Sequence, residues 1–586
     1  MKEAMMRNNR PLGIRQSGFV AALWRRVWPS RPDPDKSRRV ARARLLIAGV
    51  IASSCFMGIS AKAVWLVTSS DTLGANKSNI AASAPRGAIY DRKGRLLAST
   101  LPMMRLHLDP KMVLDPYEVA EKLAPLLPGK SEADILKALS RNSRFVELDR
   151  KITPARHAAI LALGLPGVNI TQTALRSYPH GAEAAHLVGQ VDRDGHGIAG
   201  MEKSMDDRLA AGRDVHLSID LGVQAIVRQS LAYQIERFEG VGGAGLVMDM
   251  QNGEIISLVS LPDYDPNHFA NASEDALFNR ATKGVFEMGS IFKVLNTAIA
   301  LETDTASLGS SYDVSKPLYI SGFPISDYHP YDRSLNLSEV LVYSSNIGSA
   351  KVAEDIGPVL QRSYMEKLGL LARPSLELPE TSQPLYPKKW GRLSTITISY
   401  GYGLSVSPVH AAGAIAAAAG NGEFIAPTLL LRDPDAVIER VRIFSPDTTK
   451  KVRSMMRLVV SHKDGTANYA DAPGYLVGAK TGSAEKLKKG ARGYNKKANL
   501  TSVIAAFPIH NPRYLVFVMV DEPKPQKFSY GYATAGWVAA PVIAEIVKKA
   551  APVLGVLPVD IKAPEIRQNL EPNLNIGGKG AIFASF

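Results

Sequence analysis

Residues 290–301 read SIFKVLNTAIAL, a short polar motif that continues into an apolar stretch with helical character. Side chains three positions apart share one face of a helix, so Ser290 and Lys293 are predicted to lie side by side. A neutral lysine amine can take the proton of a serine hydroxyl that attacks a carbonyl carbon. A free lysine has a pKa of about 10.4, and lowering it by about three units costs on the order of 4 kcal/mol. Burial and neighbouring charge have to supply this lowering of the lysine pKa. The structural alternative is that Ser290 only caps a helix.

A second motif, Ser344-Ser345-Asn346, follows the apolar segment Val340–Val342 and precedes a stretch with helical character. The Ser344 hydroxyl could protonate a leaving amine, and the Asn346 amide could hold Lys293 and bind a peptide backbone. A turn or a helix start also favours serine and asparagine, so the motif alone leaves a structural role open.

The third motif is Lys480-Thr481-Gly482-Ser483, which is predicted to lie in a strand because it follows Tyr475, Leu476 and Val477. Lysine supplies positive charge, and the hydroxyls of Thr481 and Ser483 can bind a substrate carboxylate. Gly482 allows a peptide to approach the strand closely. The backbone N–H groups of Ser290 and Ser483 could together stabilise an oxyanion.

Apolar segments around these motifs predict an α+β fold, with helices packed on an antiparallel sheet. The predicted strands are Ala244–Met250, Ile255–Val259, Leu500–Ala506 and Leu515–Val520, and the predicted helices are Ile291–Leu301 and Ala411–Ala419. Residues 115–165 are predicted to form short amphipathic helices without a catalytic constellation. The predicted organisation is a basic cytoplasmic tail (1–44), a transmembrane anchor (45–67), an elongated non-catalytic pedestal (68–213), a domain that carries the three motifs (214–550) and a C-terminal tail (551–586).

The formal charge of +15 is concentrated in the first 44 residues, which hold 12 Lys/Arg against 3 Asp/Glu. This distribution is typical of a cytoplasmic tail that obeys the positive-inside rule, and it argues against a nucleic-acid-binding groove. Residues 45–67 are long enough to cross a bilayer as one helix. The alternative is a cleaved signal peptide, since Ala61-Lys62-Ala63 has the small-x-small form of a processing site.

The chain has a single cysteine, Cys55, inside the predicted span, so an intrachain disulfide is impossible. His180, His186 and His196 lack the spacing of metal ligands. The sequence therefore predicts neither a metal nor another cofactor.

The ordered set of three motifs resembles class B penicillin-binding proteins, and within them the septal transpeptidases of the FtsI type. The segment Arg86-Gly87-Ala88-Ile89-Tyr90-Asp91-Arg92-Lys93-Gly94 resembles the family's first pedestal motif. The residues that resemble the family's later pedestal motifs are Arg176, Tyr178, Pro179, His186, Gly200 and Glu202. The residues that resemble characteristic positions of the family's penicillin-binding domain are Asp220, Gln224, Asp265-Pro266-Asn267, Asn279-Arg280-Ala281, Gly401-Tyr402-Gly403, Gly465-Thr466-Ala467 and Asp521-Glu522-Pro523. The sequence departs from the family pattern at Met288, Ala479 and Ser483.

The resemblance implies a D,D-transpeptidase that cross-links peptidoglycan stem peptides through an acyl-enzyme on Ser290. Its substrate would be the D-Ala-D-Ala end of a stem peptide, and β-lactams would acylate the same serine. The catalytic residues would be Ser290, Lys293, Ser344, Asn346 and Lys480, and Thr481, Gly482 and Ser483 would bind substrate. The resemblance further implies a single-pass protein of the inner membrane, with its catalytic domain in the periplasm, at the division septum. An FtsW-type polymerase would supply glycan strands, because the pedestal is unlike a glycosyltransferase.

Three alternatives remain open from the sequence. An elongation-specific class B transpeptidase shares the motifs and the anchor. A β-lactamase or carboxypeptidase would release its acyl group to water rapidly. A non-catalytic scaffold or β-lactam sensor would bind at the same serine without turnover.

Overall fold

The computed structural model describes residues 34–68, 85–487, 493–561 and 563–570, together with Leu574 and Ile576. The chain divides into two compact units, Met1–Ala82 and Ser83–Phe586. The described part of the first unit is one helix, α1 (Pro34–Thr68), within which Ala43–Lys62 is long and apolar enough to cross a membrane. The predicted anchor at 45–67 falls within α1, whereas residues 1–33 of the predicted cytoplasmic tail lie outside the described residues.

The second unit begins with the pedestal, which is built on a five-stranded sheet. The pedestal contributes strands β1 (Ile89–Tyr90), β2 (Leu96–Leu108), β3 (Val146–Ile152) and β4 (Val168–Ser177) to this sheet, which is completed by β5 (Val215–His216), just after the predicted boundary at residue 213. Its helices are α2 (Pro116–Leu123), α3 (Glu132–Leu139), α4 (Pro154–Ala162), α5 (Ala185–Val188), α6 (Gly200–Ser204) and α7 (Asp206–Ala210). The long strand β2 pairs antiparallel with β1, β3 and β4, and β1 pairs parallel with β5.

The prediction of short amphipathic helices in residues 115–165 is confirmed at α2, α3 and α4, but it did not include the strand β3, which lies between α3 and α4. Its sequence VELDRKI buries Val146, Leu148 and Ile152 and leaves most of its polar side chains partly exposed. This alternation is the signature of a half-buried strand, but it is too short to stand out beside two amphipathic helices.

A buried carboxylate joins separate parts of the pedestal. Glu202 on α6 accepts hydrogen bonds from Arg86 Nε at 2.8 Å and from Arg176 Nε at 2.6 Å, and its side chain has no exposed surface. Arg86 precedes β1 and Arg176 lies on β4, so one carboxylate links three segments that are distant in sequence.

The remainder of the second unit carries all three motifs. Its strands are β6 (Gly242–Asp249), β7 (Ile255–Leu261), β8 (Phe286–Glu287), β9 (Ser311–Asp313), β10 (Leu318–Ile320), β11 (Phe323–Ile325), β12 (Ser334–Asn336), β13 (Ser405–Val406), β14 (Glu423–Phe424), β15 (Val441–Arg442), β16 (Gly478–Leu487), β17 (Tyr494–Phe507) and β18 (Tyr514–Asp521). Its helices are α8 (Leu221–Arg237), α9 (Glu274–Leu277), α10 (Phe292–Glu302), α11 (Leu337–Val342), α12 (Asn346–Lys367), α13 (Arg392–Ser399), α14 (Pro408–Ala419), α15 (Pro446–Ser461), α16 (Ala535–Val538), α17 (Ala540–Val553) and α18 (Pro564–Asn569).

Five of these strands form an antiparallel sheet in the order β16-β17-β18-β6-β7. All residues of β18 are buried, so both faces of the sheet are covered. Helix α14, which is apolar and buried throughout, packs on β6, β17 and β18, while α8 and α17 pack on the sheet and on each other. The predicted α+β fold, with helices on an antiparallel sheet, is confirmed.

The segment predicted as a C-terminal tail adds to this core. Leu570, Leu574 and Ile576 are buried among its apolar side chains. The Val559 N–H also donates to the Gly474 carbonyl at 2.8 Å, in the segment that leads into β16. Part of this tail therefore belongs to the folded domain.

Candidate active site

The serine of the first motif sits on a tight turn at the edge of the core. Ser290 lies in a 3-10 turn, Gly289–Ile291, which continues directly into α10. Its side chain is partly exposed, whereas residues 292–301 of α10 are all buried. The sequence placed Ser290 at the start of a helix, and the structure places it in the turn that opens that helix.

Backbone packing brings this turn against β16. Gly289 has φ +56°, and a Cβ atom added there would lie 2.6 Å from the Ser483 carbonyl oxygen and 3.1 Å from its nitrogen. A Cβ on Gly482 would lie 2.5 Å from the Met288 carbonyl oxygen. Glycine is therefore required on both sides of this contact. The backbones of Ser290 and Ser483 are adjacent as the proposed oxyanion site needs, and the binding of an oxyanion by them stays a prediction.

The second motif forms another constrained turn. Ser344 follows α11 and has φ +58°, a left-handed conformation that is uncommon for serine. Ser345 then caps α12, because its Oγ accepts a hydrogen bond from the Gly348 N–H at 2.8 Å. The turn directs the Ser344 hydroxyl and the Asn346 amide toward the same lysine.

That lysine is Lys293, whose side chain is fully buried within α10. Its Nζ donates to Asn346 Oδ1 at 2.7 Å, to the Ser344 carbonyl oxygen, and to Ser344 Oγ at 3.3 Å. Burial lowers the pKa of Lys293 to about 7, although the negative charge of Asp327 opposes the shift. The amine is thus poised to be neutral near physiological pH.

The hydrogen-bond partners of Lys293 also orient its lone pair. A neutral amine has two N–H donors, and the Asn346 and Ser344 carbonyl oxygens accept two hydrogen bonds. The protonated amine donates its third hydrogen bond to Ser344 Oγ, whereas in the neutral amine the lone pair takes that place and can accept a proton from a hydroxyl. Within the part of the chain that the structure describes, the Ser290 hydroxyl has no hydrogen-bond partner, so direct proton transfer from Ser290 to Lys293 stays a prediction.

The lysine of the third motif approaches the same serine hydroxyl. Lys480 on β16 has no exposed surface, and its Nζ donates to Ser344 Oγ at 2.9 Å and to the Thr481 carbonyl oxygen at 3.0 Å. Burial, together with the positive charge of Lys293, lowers the pKa of Lys480 well below its usual value. Two buried ammonium groups beside one hydroxyl repel each other, so the positive charge of Lys293 disfavours protonation of Lys480 and the two lysines titrate as a coupled pair.

The remaining residues of the third motif differ in exposure, and Thr481 is buried. Ser483 is exposed although its neighbours Gly482 and Ala484 are buried. Thr481 Oγ1 lies 2.7 Å from Thr466 Oγ1, which fixes the threonine side chain. The hydroxyls of Thr481 and Ser483 lie on one face of β16, since they are two residues apart in a strand. Their contact with a substrate carboxylate stays a prediction.

Sequence reasoning missed Asp327, which lies just after β11. Its carboxylate accepts hydrogen bonds from the Ser345 hydroxyl at 2.6 Å and from the Ile347 N–H at 3.0 Å, so it contacts the second motif directly. An aspartate in a loop is common, and the local sequence carries no signal that this one reaches α12.

This arrangement is suited to acyl transfer. It combines a serine at a helix start, a buried amine with a lowered pKa, a bridging hydroxyl and a second buried amine. Within the residues that the structure describes, there is no cluster of three or more His, Cys, Asp or Glu side chains that could hold a metal ion.

Comparison with known proteins agrees with this geometry. Two family models match the chain: the penicillin binding protein transpeptidase domain over residues 243–548 and the penicillin-binding protein dimerisation domain over residues 81–216. The chain is 37% identical over 559 residues to a probable peptidoglycan D,D-transpeptidase FtsI of Caulobacter vibrioides, covering 92% of this chain and 95% of the relative. It is 30% identical to the peptidoglycan D,D-transpeptidase FtsI of Escherichia coli K12, covering 79% of this chain and 83% of the relative.

The fold is also similar to that of a solved structure. Penicillin binding protein 3 of Mycobacterium tuberculosis, crystallised with aztreonam, superposes with a TM-score of 0.65 and 23% identity, over 82% of this chain and 98% of that chain. At this identity the likeness concerns the fold.

Proposed function

The chain belongs to the penicillin-binding protein transpeptidase family, and on that premise we propose that it is a peptidoglycan D,D-transpeptidase of the FtsI type that acts through Ser290. Peptidoglycan stem peptides ending in D-Ala-D-Ala are its substrates, and β-lactams are its inhibitors. One observation chiefly supports the proposed chemistry: two buried lysines, Lys293 and Lys480, both donate a hydrogen bond to the Ser344 hydroxyl.

The first half of the reaction forms the acyl-enzyme. Ser290 Oγ attacks the carbonyl carbon of the D-Ala-D-Ala bond while its proton passes to the neutral Lys293 amine. The N–H groups of Ser290 and Ser483 stabilise the oxyanion that develops. A proton then reaches the leaving amine through the Ser344 hydroxyl, the C–N bond breaks, and D-alanine departs.

The second half resolves the ester. An amine of a neighbouring stem peptide attacks the acyl carbon and gives up a proton to the neutral Lys293 amine, the bond to Ser290 Oγ breaks, and that proton passes on to the serine oxygen. Asn346 orients the Lys293 amine and contacts the peptide backbone. Thr481 and Ser483 bind the terminal carboxylate of the donor, and Gly482 keeps β16 close to the Ser290 turn.

Labelling with a fluorescent penicillin tests this proposal. The full chain, purified in detergent, is expected to form a stable adduct that mass spectrometry locates on Ser290. The Ser290→Ala variant is expected to remain unlabelled, whereas a Ser310→Ala control on a partly exposed loop serine is expected to label like the unmodified protein. A well-folded protein that stays unlabelled would exclude both the catalytic assignment and a β-lactam sensor, and would leave a non-catalytic scaffold.

We further propose a septal role, in an assembly with an FtsW-type glycan polymerase and other division proteins. The FtsI relatives and the dimerisation-domain match support it. Depletion is expected to give filaments with the protein at midcell. Round cells and lateral localisation would favour an elongation enzyme instead.

We propose that α1 anchors the protein in the inner membrane as a single pass, with the pedestal (68–213) and the catalytic domain (214–550) in the periplasm. The apolar segment Ala43–Lys62 and the basic residues before it support this orientation. Protease added to spheroplasts is expected to degrade the catalytic domain and to spare an epitope tag fused to the N-terminus.

A further inference from the structure

Asp327 contacts the start of α12 through both carboxylate oxygens. Oδ2 accepts the hydrogen bond from the Ser345 hydroxyl, and Oδ1 accepts from the Ile347 N–H and from the Asn346 N–H. These are the N–H groups that a helix start leaves without partners, and a carboxylate there also interacts favourably with the helix dipole. The carboxylate thus fixes the backbone on which Asn346 is mounted.

The preceding residue fixes the Asn346 side chain itself. Asn346 Nδ2 donates to the Ser326 carbonyl oxygen at 3.0 Å, so Oδ1 of the same amide points to Lys293. The dipeptide Ser326–Asp327 therefore holds both the backbone and the amide of Asn346. A displacement of this loop would turn the amide away from the lysine.

Asp327 also acts on Lys293 through its charge. Its carboxylate favours the protonated form of Lys293 and raises the pKa of that lysine against the effect of burial. Lys480 on β16 donates to the same Ser344 hydroxyl as Lys293, and the negative charge of Asp327 also acts on Tyr331. Asp327 thus places a negative charge near the buried Lys293 amine.

We propose that Asp327 is a positioning residue for acyl transfer, which holds the Ser344–Asn346 turn against Lys293 and places a negative charge near the Lys293 amine. This inference rests on the proposed transpeptidase function. Asp327 does not touch the reacting atoms; it acts through Ser345, Asn346 and Lys293. An aspartate that only caps α12 would change the stability of the fold and leave the pH dependence of acylation unaltered.

Two substitutions separate the positioning role from the charge. Asp327→Asn keeps an oxygen acceptor for the two N–H groups and removes the negative charge. Asp327→Glu keeps the charge and moves the carboxylate by one methylene relative to α12. Asp332→Asn is the matched control, because Asp332 is exposed on the same loop. The second-order rate of acylation by a fluorescent penicillin is measured for the full chain from pH 5.5 to 8.5, with thermal melting followed by circular dichroism.

In Asp327→Asn, we expect the rising limb of the pH–rate profile to move to lower pH, because Lys293 loses the charge that favours its protonation. In Asp327→Glu, we expect the limb to stay in place and the plateau rate to fall about tenfold, because misplacement of groups near the reacting atoms is costly. Profiles that coincide with that of the unmodified protein in both folded variants would overturn the inference and leave the transpeptidase intact. A lack of labelling of the unmodified protein itself would overturn both.

Discussion

The lowered pKa of Lys293 predicts how acylation depends on pH. Burial brings this pKa to about 7, and the neutral amine is the form that accepts the Ser290 proton. The neutral fraction of a group with that pKa rises from about 9% at pH 6 to about 91% at pH 8, so the acylation rate should rise about tenfold over this interval. The acylation rate should fall at low pH because protonation of Lys293 removes the base.

The assay is the second-order rate of labelling by a fluorescent penicillin, measured with the full chain in detergent from pH 5.5 to 8.5. Lys293→Met is expected to lower the rate by at least about 100-fold and to abolish the rising limb, since general-base catalysis contributes about 10²–10⁴ in rate. Lys283→Met is the matched control, because Lys283 is exposed ten positions earlier in the chain. Its profile is expected to match that of the unmodified protein.

Two results would refute this reasoning. A rate that is constant between pH 6 and pH 8, in protein whose fold is unchanged across that range, would mean that Lys293 is not the titrating base. A rate that still climbs about tenfold per pH unit at the upper end of the range, between pH 7.5 and pH 8.5, would mean that Lys293 keeps the pKa of an exposed lysine despite its burial.

Two further predictions concern packing around the site. Gly401→Ala should reduce the rate of acylation at least about tenfold, because Gly401 has φ +90° and an added Cβ would lie 1.9 Å from the Gly289 carbonyl oxygen. Gly391→Ala is the control, because an added Cβ there would have no atom within 4 Å. Equal labelling rates of the two variants would contradict the prediction. Glu202→Gln should lower the free energy of unfolding by about 3–5 kcal/mol, since it leaves the largely buried Arg176 without its carboxylate, whereas Arg86 keeps Asp206. Chemical denaturation measures this loss against Glu121→Gln at an exposed site, and an unchanged midpoint would contradict the prediction.

Much of the catalytic fold was predictable because its strands are strongly apolar. The predicted strands Leu500–Ala506 and Leu515–Val520 lie inside β17 and β18, and Ile291–Leu301 differs from α10 by one residue at each end. Runs of buried β-branched and apolar residues leave few alternatives in such segments. The flanks of β17 were not predicted, since Tyr494–Asn499 is polar and is held in the strand by pairing with β16.

The three motifs were recognisable from their order, but their geometry was not. The left-handed backbone at Ser344 depends on the junction between α11 and α12, and the contact of Lys480 with Ser344 joins residues 136 positions apart. Asp327 was missed for the same reason. It follows the two short strands of the β10–β11 hairpin, whose apolar pattern is too brief to predict where the loop folds back.

The same burial that makes Lys293 a base acts against the fold. The unfolded chain binds a proton at this lysine below a pKa of about 10.4, whereas the folded chain does so only below about 7, so the unfolded state holds more protons between these values. Stability at this site therefore increases as the pH rises from about 7 toward 10, and at neutral pH the site costs on the order of 4 kcal/mol. The fold tolerates this loss of free energy of unfolding because the other residues of α10 from Phe292 to Leu301 are also buried and stabilise the core. The apolar run that continues the first motif, and not the motif alone, is what keeps a neutral amine next to Ser290.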